Sequence, residues 1–344
     1  MFADEMANTQ AHGPAPSSLD QGAPLIRLIC QIAGARSLID DARVSLARPG
    51  VIAAVQRHDT PAIFNWLIDA LSYQGVSDSI AYGYMEQHGR IRWQDIAATL
   101  ADQPSCPKLK GYWLFEDCGN RKNTDTCANP QHRPDCPLPR HDLRNGRLNQ
   151  TAYSLYLFLR DLADGDIVDW IDGRLANVEA VPGADRPARL RQALLEPLGH
   201  VYGVSNKVLA MAMSELLLAG DAKRPAWIEA GAVMIAIDTL VHNFLHRSGI
   251  LRELEAEHPY GTGCYAPGGC AAIIERTASR IDARRFNPSY PANFPRFVQH
   301  AIWRFCAAAG LDRCNGHRID DRLACQQTDC PVFQSCGRVP LKSA

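Results

Sequence analysis

No stretch of this 344-residue chain is apolar enough to cross a bilayer. The longest apolar run, Ala232 to Leu240, is interrupted by Asp238 and falls far short of the roughly 20 residues that a spanning helix needs. No membrane partner is therefore expected. The chain also has almost no net charge, −1, so no global basic field points to nucleic acid. Strand-like alternation is nearly absent and there are no internal repeats, which leaves an all-α fold as the expectation. The N-terminus opens with Asp4 and Glu5, where a secretory leader would carry a basic flank and an apolar core. The expected compartment is the cytoplasm, with nucleoid association in a prokaryote.

Against these absences, 12 cysteines stand out. Cys314, Cys325, Cys330 and Cys336 are spaced C-x10-C-x4-C-x5-C. Four thiolates this close in sequence can converge on one soft metal centre, either tetrahedral zinc or an iron–sulfur cluster. Two disulfides are the alternative, and a reducing compartment favours the metal. A second, looser set, Cys106, Cys118, Cys127 and Cys136, lies among Asn, Pro, Arg and Asp in residues 106–148, with His132 and His141 nearby. A long loop without periodicity gains most from a metal cross-link, so a second metal site, zinc or iron–sulfur, is expected there. Cys264 and Cys270, in the Gly- and Pro-rich loop from Ala256 to Cys270, are alternative ligands. Cys30 and Cys306 fall in apolar helical patterns and read as buried thiols.

With 46% hydrophobic residues the chain can bury a real core. Asp59-Thr60-Pro61 is a helix cap followed by a permitted first-turn proline, leading into Ile63, Phe64, Leu67, Ile68 and Leu71. Further helical periodicity covers about 77–87, 92–102, 150–163, 187–197, 206–218, 268–282 and 295–309. The first 24 residues have the composition of a disordered tail. Charge is uneven: from Ile273 to Ala344 there are 11 Lys/Arg against 6 Asp/Glu, a net of +5 that suits phosphate contacts.

Two short segments carry chemistry. Gly203-Val204-Ser205-Asn206-Lys207 is a glycine turn between two helical patterns, and such a turn offers amides and a helix dipole to a phosphate oxygen. Asp238, 31 residues after Lys207, closes the run Ile235-Ala236-Ile237. Asp238-Thr239 has the form of a helix start, where the carboxylate caps free amides. The other reading is an ionised carboxylate beside an active site, able to stabilise positive charge or move a proton.

Together these residues resemble the helix-hairpin-helix DNA glycosylases, in particular the endonuclease III-like branch with a C-terminal iron–sulfur cluster. Four anchors occur in that family's order: Phe64 to Ser77 with Gln74 in its loop, the hairpin, the segment around Asp238, and Phe297 to Cys314 running into the cysteines. The resemblance covers roughly 60–110 and 150–336. Departures exist: Val201-Tyr202 replaces a leucine-proline, Ser205 a glycine and Leu240 a histidine, and the family's cysteine spacing is C-x6-C-x2-C-x5-C. These imply a divergent branch with an unfamiliar substrate.

The resemblance implies a two-lobed fold. A tail over 1–24 precedes an N-terminal helix over 25–55 that packs with the C-terminal lobe. A helical barrel over 56–238 then carries the helix-hairpin-helix at about 195–218 and the cysteine-rich insertion 106–148, and a helical iron–sulfur lobe spans 239–344. It implies DNA N-glycosylase activity on a flipped damaged or mismatched base in double-stranded DNA, by a monomer, with AP lyase activity if Lys207 is the nucleophile. Asp238 would be the catalytic carboxylate, Gly203, Val204 and Ser205 the phosphate clamp, and Gln74 the residue filling the vacated stack. Cys314, Cys325, Cys330 and Cys336 would hold a structural 4Fe-4S cluster. The rival readings are a non-catalytic reader of DNA lesions or structures, and a metal-cluster-dependent regulator.

Overall fold

Several helices begin where the sequence supplies an acceptor for their unpaired first-turn amides. Asp59 Oδ1 accepts from the Ala62 amide at 3.1 Å, Ser37 Oγ from Asp40 at 3.2 Å, and Asp238 Oδ1 from Val241 at 2.9 Å. The computed structural model describes residues 18–34, 37–72, 82–83, 85–86, 89–99, 120–121, 126–127, 147–180 and 185–342. Gln74, Cys106, Cys118 and Cys136 lie outside the described residues, and Cys127 is described in its backbone alone.

The protein is all-α. In chain order the helices are α1 (Ser18–Ala33), α2 (Leu38–Ala47), α3 (Val51–Gln56), α4 (Thr60–Leu71), α5 (Trp93–Thr99), α6 (Arg147–Asp161) and α7 (Ile167–Glu179). They continue with α8 (Arg186–Leu198), α9 (Asn206–Ala219), α10 (Pro225–Ala232), α11 (Thr239–Arg247), α12 (Ile250–Glu253), α13 (Cys270–Ala278) and α14 (Pro295–Cys306). Among the described residues the only strand pairing is a two-residue antiparallel ladder in the insertion, Asn120 opposite Cys127 and Arg121 opposite Thr126. No single described helix is long and apolar enough to cross a membrane.

Buried side chains form two clusters. The first draws on α3 to α10, with Phe64, Tyr153, Phe158, Leu194, Met213 and Trp227 among its members. The second joins α1 to α11, α13 and α14 through residues such as Ile29, Phe244, Ile274, Phe297 and Phe305. Helix α9 is largely buried because it lies between them: Val208, Leu209, Met213, Leu216 and Leu217 are among those packed into the first, and Leu218 packs into the second.

Two boundaries differ from expectation. α1 begins at Ser18, so the last seven residues of the expected tail are helical. Within 25–55, residues to Ile39 enter the second cluster, but Ala42, Leu46, Val51, Ala54 and Val55 enter the first. α2 crosses from one to the other because its apolar residues at i, i+3/i+4 and i+7/i+8 reach both.

After α10 the chain passes between the clusters as a buried non-helical segment. Val233 and Met234 belong to the first, Ile235 and Ile237 to the second. Buried backbone there must find partners. The Ile235 amide donates to Val233 O at 3.0 Å, and the Ile237 amide to the Tyr265 hydroxyl at 2.9 Å. Asp238 is the first polar residue after this passage, which fixes its position at the junction.

Candidate functional site

The hairpin turn is held from beneath by α6. Thr151 Oγ1 donates to Tyr202 O at 2.8 Å, and the Tyr202 amide donates to Ser154 Oγ at 2.9 Å. Gly203 has φ +76, and a Cβ built there would sit 2.8 Å from Thr151 Oγ1, so both conformation and space call for glycine. Ser205 is the N-cap of α9 and accepts from the Val208 amide at 3.5 Å. The Val204 amide turns inward, 3.4 Å from Val201 O. Gly203 is exposed, while Val204, Ser205 and Lys207 are half-buried.

Among the described residues, Lys207 lies within electrostatic reach of Asp238 but forms no ion pair with it. Each stands in the opening turn or cap of its helix, α9 and α11, and the Lys207 ammonium offsets part of the Asp238 desolvation. Burial raises the Asp238 pKa above the ordinary carboxylate value; the Val241 amide and Lys207 pull against it without cancelling it. Three further groups feel the charge of the same carboxylate. Burial, with Asp238 contributing, pushes the Tyr265 phenol up to about 12 and also raises that of Tyr260. Burial lowers the Arg296 guanidinium to about 10, against the fields of Glu215 and Asp238. The result is a half-buried carboxylate in the electrostatic field of one ammonium, one guanidinium and two phenols. Such a group can steady developing positive charge or take a proton.

The C-terminal cysteines wall one narrow pocket. Cys314, Cys325, Cys330 and Cys336 line it together with Phe244, Phe305 and Arg247. No three of these sulfurs come within the 4.8 Å mutual distance that a single ion would ask of its donors. Cys306, predicted to be a buried thiol, is fully buried and hydrogen-bonds to the Cys314 sulfur, which lowers the Cys314 pKa. Arg247 is 2% exposed; its Nη2 pairs with Asp321, but its Nε and Nη1 have no acceptor in the protein.

A tighter group lies between α11 and the 256–270 loop. His242, His258, Cys264 and Cys270 each offer one atom, and the four atoms lie within 4.8 Å of one another. This group can hold a metal ion. His242 Nδ1 is 3.4 Å from Cys270 Sγ and 3.5 Å from Cys264 Sγ; His258 Nε2 is 3.4 Å from Cys270 Sγ. Burial, with His258 and His246 beside it, lowers the His242 pKa to about 4, so its imidazole is neutral at pH 7. Of these four, the sequence offered Cys264 and Cys270 as alternative ligands in the Gly- and Pro-rich loop. The histidines were missed: His242 follows Asp238 by one helical turn and His258 stands alone in a loop, so neither has a local motif. A further trio, His58, Asp166 and Asp169, is accounted for by the α7 cap, with His58 Nδ1 2.8 Å from Asp166 Oδ2.

Compared with known proteins, the chain matches no protein-family model, no curated protein and no solved structure.

Proposed function

We propose that this protein is a DNA-repair N-glycosylase that removes a damaged or mismatched base from double-stranded DNA after nucleotide flipping. The reading is supported by one observation: the charge of Lys207, at the start of the helix after the glycine turn, reaches the half-buried carboxylate of Asp238 and favours its ionised form. Those are the two groups that base excision with strand cleavage needs together. Asp238 stabilises the positive charge that develops on the sugar as the base leaves. Lys207 Nζ, once deprotonated, bonds to the sugar C1′ as the N-glycosidic bond breaks, and the base departs with a proton. The C1′–O4′ bond then opens, O4′ taking the remaining proton of the amine, and the Schiff base so formed permits strand cleavage. Gly203 meets a backbone phosphate at the exposed tip of the turn, and Val204 and Ser205 shape it behind. Gln74 fills the gap in the stack.

The finer reading of the metal chemistry is a 4Fe-4S cluster on Cys314, Cys325, Cys330 and Cys336. Two features support it. The sulfurs are too dispersed for one tetrahedral ion, whose zinc–sulfur bonds would hold them about 3.8 Å apart. Arg247 also presents buried N–H groups without an acceptor to the same pocket, as expected where an anionic centre belongs. The cluster is structural in this reading and takes no part in the reaction.

The test is borohydride trapping across a panel of lesion-bearing and mismatched duplexes, with Lys207→Ala as control. A covalent adduct with the wild type alone supports the bifunctional reading. Base release without an adduct removes the lyase step. Binding without release on every duplex replaces the enzyme with a non-catalytic DNA reader. Iron analysis and a visible band near about 400 nm, both lost in Cys330→Ser, test the cluster.

A further inference from the structure

We infer that His242, His258, Cys264 and Cys270 form a closed tetrahedral site for one zinc ion, which fastens the 256–270 loop to the helix that Asp238 caps. This inference does not rest on the DNA reading.

The argument begins with distances. Zinc–sulfur and zinc–nitrogen bonds of about 2.3 and 2.05 Å, set at a tetrahedral angle, hold a sulfur and a nitrogen about 3.5 Å apart. Three of the four nitrogen–sulfur separations are 3.4, 3.5 and 3.4 Å, and the fourth lies within 4.8 Å. Hydrogen bonding alone accounts for less of this. Two thiols and two imidazoles satisfy one another as two separate pairs, one proton to one ring lone pair. Here both sulfurs close on the same His242 Nδ1, which has a single lone pair to offer. A shared centre accounts for that convergence.

The tautomers also fit. His258 Nδ1 is 2.7 Å from Ala256 O, so that nitrogen carries the proton and Nε2 presents its lone pair towards Cys270. A backbone carbonyl orienting a ligating imidazole in this way is a recurrent feature of metal sites. Four protein donors fill a tetrahedron and leave no open position for a substrate water; Cys264 and Cys270 are fully buried. His242 and His258 border an open cleft shared with His246, Glu257, Tyr260 and Lys342, and an ion can reach the donors through it.

The donor set selects the metal. Two sulfurs and two nitrogens in a tetrahedron suit zinc, which binds such sites more tightly than ferrous iron does. A binuclear iron–sulfur centre with two cysteines on one iron and two histidines on the other would separate the sulfurs from the nitrogens. The mutual 4.8 Å limit excludes that arrangement.

Such a site has a structural consequence for Asp238. The His242 amide donates to Asp238 O at 3.0 Å, one turn into α11. The loop on the other side carries Tyr260 and Tyr265, and Tyr265 holds the Ile237 backbone. Joining loop to helix therefore fixes both phenols around the carboxylate, in a loop whose ordering would otherwise be costly.

The full-length protein, expressed with zinc supplied and purified without chelators, is expected to carry one zinc per chain by mass spectrometry of metals. Cys330→Ser should keep that zinc, and the Cys264→Ser/Cys270→Ser double variant should lose it. Two measurements on folded protein stand in if the double variant fails to fold. Cobalt exchanged into Cys330→Ser should give the visible bands of a tetrahedral thiolate site. Alkylation of Cys264 and Cys270 in the wild type should be slow until a chelator is added and fast afterwards. A folded wild type that takes up no zinc overturns the inference, as do zinc retained by the double variant and alkylation indifferent to chelator.

Discussion

Asp238 holds two jobs that substitution can separate. Its Oδ1 caps α11 through the Val241 amide at 2.9 Å, and its charge faces Lys207. Replacing a capping aspartate with alanine costs about 1 kcal/mol, within a range of about 0.5–2, whereas asparagine caps about as well. Asp238→Ala should therefore lower unfolding stability by about 1 kcal/mol, and Asp238→Asn should change it by a few tenths at most. The sign of the asparagine effect follows from burial. A carboxyl whose folded pKa is raised contributes stability below the unfolded value of about 4 and loses it as pH rises through the folded pKa. Asparagine escapes that loss, so its advantage should emerge as pH rises from 4 towards 7 and then level off. Base release needs the charge, and its removal should slow it by about 10²- to 10⁴-fold in both variants. Urea denaturation across this pH range measures the first effect, and single-turnover base release on the responsive duplex measures the second. If Asp238→Asn costs as much stability as Asp238→Ala, the capping argument is wrong. If Asp238→Asn releases base at the wild-type rate, the catalytic assignment falls.

The remaining expectations are separate from this one. Lys207→Ala should abolish the borohydride adduct while leaving duplex affinity within a few-fold, which gel shift at fixed salt would read; an intact adduct assigns the nucleophile elsewhere. Gly203→Ala forces a left-handed alanine against Thr151 Oγ1, and thermal melting should show a loss of about 1–2 kcal/mol. Arg247→Met removes a buried cation from the cysteine pocket. If an anionic centre sits there, iron content and melting temperature should both fall; a stabilised, iron-replete variant would contradict the reading, because a buried guanidinium only partly satisfied by Asp321 is often replaced by a hydrophobe without loss. Burial alone would raise the Asp166 pKa, but the amides of Asp169 and Val168 and the His58 ring hold it below the ordinary value. Its stabilisation is present above about pH 4 and lost as pH falls through the depressed pKa, so Asp166→Asn should flatten the acid limb of the stability profile.

Local physics made much of the fold legible. Asp59-Thr60-Pro61 announces α4 because the cap, the permitted proline and the apolar period all act within one helix. The periodic segments at 150–163, 187–197 and 206–218 appear as α6, α8 and α9 within a few residues for the same reason. The 268–282 segment is shorter, Cys270–Ala278, with Ile281 reaching the second cluster from a bend beyond the helix. Asp238 as a helix cap was legible too, because a capping side chain needs only the three residues that follow it.

Convergence from distant parts of the chain was not legible. Residues 232–237 read as an apolar run, and only the two clusters show that this run carries the chain from one core to the other. The nearness of Lys207 to Asp238 depends on that passage and on α9 lying between the cores. His242 and His258 show the same limit. Neither has a neighbour in sequence that marks it, and they meet Cys264 and Cys270 because α11 and the 256–270 loop fold onto one another. By itself the sequence determined which segments are helices, which residues cap them and which thiols can ligate, since periodicity, capping and ligand chemistry act over a few residues. The tertiary structure decided which thiols have imidazoles for company and which carboxylate faces the lysine, since those choices are made by packing between helices far apart in the chain.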